Sequence, residues 1–101
     1  MSTSLDRLAR NYRPALLSYL GHQNEESLHR AYELGRLALA DGVSLLDVVR
    51  AHHNAFSSLL STVPAKDVTE TVDVATAFLI EALAPFEIAR RGFLDNRPDR
   101  H

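Results

Sequence analysis

The sequence predicts an all-α fold: a four-helix bundle that forms a homodimer, with a last helix that is long and kinked at Pro85. Three features lead there. Turn signals are few, and Gly21-His22-Gln23-Asn24, Asp41-Gly42 and Val63-Pro64-Ala65 cut the chain into four segments. Apolar residues recur at steps of three and four in every segment, and none shows the alternation of a strand. From Ala75 to Ala89 the apolar residues occupy every face, with only Thr76, Glu81 and Glu87 polar. A helix apolar all round must be covered all round, and three neighbours in so short a chain leave one side for a second copy.

In the first segment Leu5, Leu8, Tyr12, Ala15 and Tyr19 fall along one helical face. Pro14 interrupts that pattern, so the helix either bends there or begins near Arg13. The second segment opens after Asn24, a good N-cap, and places Glu25 and Glu26 in the positive first turn. Its buried stripe is expected to be Leu28, Tyr32, Gly35 and Leu39, and Gly42 suits the left-handed position that ends a helix.

The third segment starts with Ser44-Leu45-Leu46-Asp47, a variant of the capping box, and is expected to run to Val63, before Pro64. Its stripe reads Leu45, Val49, His52, Phe56, Leu59 and Val63. The fourth begins at Asp67, with Glu70 three residues on, and carries a seam of Val68, Val72, Ala75, Leu79, Ala82, Phe86, Ala89 and Phe93. Pro85 interrupts it. An interior proline costs about 3 kcal/mol and leaves the carbonyl of Glu81 without its usual amide, which predicts a kink splitting a helix of nearly thirty residues.

A chain of 101 residues allows one domain, assigned to residues 1–95, with Asn96-Arg97-Pro98-Asp99-Arg100-His101 as linker or disordered tail. With no cysteine, neither disulfides nor a Cys-ligated zinc reinforce it. A net charge of −2 removes the main reason to expect nucleic acid, whose phosphates draw affinity from clustered Lys and Arg. No apolar run exceeds four residues, far short of the roughly 20 that span a membrane. The N-terminus, MSTSLDRLARNYRP, lacks the apolar stretch of a signal peptide, so a cytoplasmic location is expected.

Residues with chemistry are present but do not assemble into a catalytic pattern. His52 and His53 are adjacent and point about 100° apart on a helix, which is wrong for chelating one ion. His52 lies between Val49 and Phe56 on the seam and reads as a core or interface histidine bonded across helices. His22 and His29 are seven apart across the expected helix start, with no Asp or Glu at ligand spacing that would complete a metal site. Glu81 and Glu87 fall on different faces, which argues against a shared acid–base site; Glu87 has Arg90 and Arg91 at ion-pair spacing, and Glu81 has no local partner. The glycines are scattered singly, with no phosphate loop and no serine elbow. No metal, cofactor, small-molecule substrate or catalytic residue is expected.

The sequence also admits two alternatives, a standalone dimerisation cap and a helix-turn-helix-like DNA-binding regulator. Ala38, Gly42 and Val48 sit at helix-turn-helix spacings, but Leu45, Leu46, Asp47 and Arg50 would form a groove-facing surface too apolar and too acidic to lie against phosphates.

Two stretches carry a resemblance. Tyr32-Glu33-Leu34-Gly35-Arg36-Leu37-Ala38 followed by Gly42 to His53, and the more specific Phe78-Leu79-Ile80-Glu81-Ala82-Leu83-Ala84-Pro85-Phe86-Glu87-Ile88-Ala89-Arg90-Arg91-Gly92-Phe93, resemble the N-terminal domain family of the phosphoserine phosphatase RsbU. The similarity spans about residues 10 to 95. It implies a dimeric four-helix input module of bacterial stress-response partner switching, related in fold to the C-terminal domain of the clock protein KaiA. Such a module receives a switch protein, the serine kinase RsbT or a relative, and so activates a PP2C-type phosphatase. The sequence ends at His101 without that phosphatase, so the expectation is either a piece cut at a domain boundary or a relative whose output is a partner. The resemblance assigns Phe78, Leu79, Ala82, Leu83 and Phe86 to core and dimer seam. It assigns Tyr32, Gly35, Arg36, Glu81, Pro85, Glu87, Arg91 and Phe93 to partner docking.

Overall fold

A computed structural model describes residues 3–95, with side chains through Gly92. The expected tail at 96–101 lies outside the described residues. Four helices follow in order, α1 (Ser4–Gly21), α2 (Glu25–Ala40), α3 (Leu45–Leu60) and α4 (Val68–Asp95), with a single 3-10 turn at Ala65–Asp67 leading into α4. No strand occurs among the described residues.

The ends of the helices are set by local chemistry. Thr3 accepts from the Asp6 amide and Asp6 reaches back to the Thr3 amide, a capping box that starts α1 well before Arg13. The helix then runs through Pro14 without a break. Asn24 accepts from the Ser27 amide at 2.8 Å and Ser44 from the Asp47 amide at 3.1 Å, as their spacing predicts. After α2 the Val43 amide bonds to the Ala38 carbonyl and the Gly42 amide to the Leu39 carbonyl, with Gly42 at φ +80°, which is the Schellman closure. An alanine at Gly42 must adopt a left-handed backbone, so Gly42→Ala is expected to cost about 1–2 kcal/mol in urea denaturation. The third helix ends at Leu60, three residues short of the expected Val63, and two turn bonds carry the chain to Pro64.

Packing is most extensive between α2 and α4, while α1 lies against both α2 and α3, and α2 hardly meets α3. The α2–α4 crossing depends on Gly35. A Cβ built there overlaps the carbonyl oxygen of Ala82 and comes within 2.9 Å of its carbon, so the two backbones touch where any side chain would hold them apart.

That closeness decides which residues are core. Ala15, Ala31, Ala38, Ala51, Ala55, Ala75 and Ala82 are buried, together with Leu8, Tyr12, Leu16, Tyr19, Val43, Val48, Leu59 and Phe78. Three expected stripes are therefore rotated by about one residue. On α2 the buried line is Ala31, Gly35 and Ala38, and Leu39 is exposed; on α3 it is Val48, Ala51, His52, Ala55 and Leu59, and Leu45 and Val49 are exposed. On α4 it is Ala75, Phe78, Ala82 and Pro85, with Val72 and Ala89 exposed. In α1 the expected line holds except for the exposed Leu5.

The fourth helix is continuous from Val68 to Asp95, about 42 Å at 1.5 Å per residue. Its residues 87–91 are all exposed, so its last turns project beyond the other helices. The radius of gyration, 15.1 Å, exceeds the roughly 13 Å of a compact chain of this length accordingly.

Candidate interaction surface

At the centre of the bundle, the hydroxyl of Tyr12 lies 2.7 Å from Nδ1 of His52, both buried, which confirms His52 as a core histidine bonded across helices. Tyr12 also meets Phe78 edge-on at 5.2 Å, and His52 stacks on Phe56 at 5.8 Å. Burial pushes the Tyr12 hydroxyl far up from its ordinary value, so it keeps its proton; burial first and the nearby His53 second push His52 down, so it stays neutral. The hydroxyl therefore donates to Nδ1 and the ring proton sits on Nε2, because the reverse arrangement strands the phenolic hydrogen in the core.

A pH dependence follows from this. Because the folded His52 binds a proton less readily than the unfolded one, the unfolded state holds more protons in the window between the two pKa values. Stability is full above the unfolded value of about 6.5, falls as the pH drops below it, and levels off once the folded His52 is protonated. Urea denaturation from pH 8 to 5 is expected to show this slope and to lose it in His52→Gln. Tyr12→Phe, which leaves Nδ1 unpaired, is expected to cost about 1–3 kcal/mol at neutral pH.

The outer surface of α2 carries a ridge of linked side chains. His29 stacks on Tyr32 at 6.0 Å and approaches Glu33 at 3.3 Å, and Glu33 accepts from Arg36 at 2.7 Å. The hydrogen bond from Arg36 holds the Glu33 carboxyl below its ordinary range. Beside this ridge, half-buried Glu81 borders an open depression with Glu25, Glu26, Leu28 and His29. Its carboxylate has no hydrogen bond or ion pair among the described residues, so its lack of a partner persists in three dimensions.

On the outward face of α4, Ile80 is 62% exposed and Ile88 57%, and with Leu83, Ala84, Glu87 and Arg91 they line a shallow apolar groove. Glu87 accepts from Arg90 at 2.9 Å and from Arg91 at 3.1 Å, the expected pairing, and Arg90 first and Arg91 second hold its carboxyl below the ordinary range.

The residues expected at a dimer seam thus divide. Phe78 and Ala82 are wholly enclosed by the chain's own helices, and Leu79, Leu83 and Phe86 are half-buried. Of those expected to dock a partner, Gly35 and Pro85 are buried, Tyr32 and Glu81 are half-buried, and Arg36, Glu87 and Arg91 are exposed. The side chain of Phe93 lies outside the described residues. Ile80 and Ile88 were not singled out from sequence, although with Ala84 they form an unbroken i, i+4, i+8 line. Among the described residues no group of three His, Cys, Asp or Glu is placed to hold a metal ion, and no helix is long and apolar enough to cross a membrane.

The described residues thus form a small all-helical domain with a linked polar ridge on α2 and a shallow apolar groove on α4. The chain belongs to the family of the N-terminal domain of the phosphoserine phosphatase RsbU, which matches residues 10–89. That family is the regulatory N-terminal domain and is distinct from the phosphatase domain. No curated protein and no solved structure gives a significant match to the chain.

Proposed function

We propose that the chain is a non-enzymatic bacterial signalling input domain that homodimerises in the cytoplasm and binds a switch protein, a serine kinase of the RsbT type. Docking then regulates a PP2C-type phosphatase, attached or separate, in stress-response partner switching. The observation that carries this reading is the family match, which takes in most of α1, all of α2 and α3, and α4 as far as Ala89. The exposed Ile80 and Ile88 support the homodimer, since an apolar strip of this kind calls for cover. Tyr32, Arg36 and Glu81 are the proposed kinase contacts on the bundle, with Phe93 at the projecting end of α4; Glu87 and Arg91, which line the apolar groove, are left to the seam between copies. Gly35 and Pro85 set the helix positions behind them.

The transmitting element is α4. A change in its direction at Pro85, or in the angle between two copies, moves the projecting C-terminal turns and whatever follows them. Isothermal titration of the domain with the RsbT-type kinase of its host is expected to show a complex, weakened about tenfold or more by Arg36→Glu with the helical circular dichroism unchanged. Absence of binding by a folded domain would overturn the kinase assignment. Light scattering at micromolar concentration is expected to give twice the chain mass.

A further inference from the structure

We infer that the second copy lies antiparallel along the outward face of α4, centred on Ala84, so that each copy's Ile80 packs on the other's Ile88. This rests on the homodimer reading and adds the face and the orientation. The face is given by exposure: among the described residues Ile80 and Ile88 are the two most exposed large apolar side chains of α4, they flank half-buried Ala84 on one line, and the opposite line of Ala75, Phe78 and Ala82 is already filled. A small residue at the midpoint lets two helices approach closely, and an apolar residue one turn to either side gives a self-complementary pattern, as two-fold symmetry requires.

The orientation is given by charge. From Lys66 to Asp73 the leading turns carry Lys66 against Asp67, Glu70 and Asp73, and the projecting turns carry Arg90 and Arg91 against Glu87, so the two ends of the helix differ in sign. Antiparallel pairing about Ala84 brings one copy's Arg91 level with the other's Ala77, one turn of about 5.4 Å from Asp73; Arg91 bonds its own Glu87 through Nε, and its terminal nitrogens reach toward that Asp73. In-register parallel pairing instead stacks Asp73 on Asp73, Glu87 on Glu87 and Arg91 on Arg91, each a like-charge contact. One antiparallel neighbour pair is also alike in sign, Glu81 and Glu87, but Glu87 is already bonded to Arg90 and Arg91, and Glu81 is turned toward the depression beside α2. In this arrangement the two C-termini point to opposite ends of the dimer.

The chain has no cysteine, so introduced thiols report alone. Ile80→Cys mixed with Ile88→Cys is expected to form a disulfide-linked dimer on mild oxidation, with little linkage in either variant by itself. Ile80→Glu acts twice in a symmetric dimer and is expected to raise the dissociation constant at least about 100-fold, read by light scattering, with helical content retained. Self-linkage of each single variant without gain on mixing overturns the antiparallel orientation. A dimer that survives Ile80→Glu places the seam elsewhere and overturns the inference while the homodimer reading stands. A wild-type chain that is monomeric at micromolar concentration removes the homodimer reading itself, and the pairing with it.

Discussion

Gly35→Ala is expected to destabilise the fold by about 3 kcal/mol, although the same change inside a free helix stabilises it by about 1 kcal/mol. The sign turns on a single contact. The new methyl group falls inside the van der Waals shell of the Ala82 carbonyl, which is backbone and cannot swing aside. The α2 and α4 axes must separate, and the alanines packed between the helices then lose contact together. Gly92→Ala is the control, because a Cβ at Gly92 meets nothing within 4 Å, and it is expected to be neutral or slightly stabilising. Urea denaturation of the two variants side by side checks the argument. A Gly35→Ala protein as stable as the wild type would mean that the helices do not cross this closely.

Phe78→Ala is expected to cost about 3–5 kcal/mol, a large share of the 5–15 kcal/mol that holds a domain of this kind together. Phe78 is fully buried and touches Tyr12 and Tyr19, with ring centroids 5.2 and 5.9 Å away, so truncation leaves a cavity between α1 and α4 and loosens the ring that supports the Tyr12–His52 bond. The loss is expected at every protein concentration, since the contacts lie within one chain. Ile80→Glu, in contrast, is expected to change the association of chains with little effect on the folding of each. Denaturation curves recorded at two protein concentrations separate these cases: a Phe78→Ala defect that vanished at high concentration would return Phe78 to a seam between copies.

Features that depend on neighbouring residues were legible in the sequence. The caps at Asn24 and Ser44, the glycine closure at Gly42 and the Glu87–Arg90–Arg91 pairing were all anticipated, because each is a contact across three to five positions. His52 was also anticipated as a bonded core residue, but its partner, Tyr12, lies 40 positions away and no local pattern selects it.

The phases of the stripes were harder to read. Adjacent apolar pairs such as Leu45-Leu46 and Val48-Val49 admit two helical lines one residue apart, and the larger or more regular line is the natural choice. The fold takes the other line in three helices, burying alanine and leaving Leu37, Leu45, Leu46, Ile80 and Ile88 outside. Volume explains it: helices in backbone contact at Gly35 leave little space between them, and small side chains fill it without strain.

The sequence by itself determined an all-helical chain, its four segments and most of their ends, because hydrogen bonding at a helix terminus is decided within one turn. It also carried the membership of a regulatory domain family, which resides in the order of residues over positions 10–89. Only the tertiary structure decided which face of each helix is inside and which apolar residues remain for a partner. That outcome depends on how closely the helices approach, and here the approach is set by one glycine and the carbonyl of Ala82, 47 positions further along the chain.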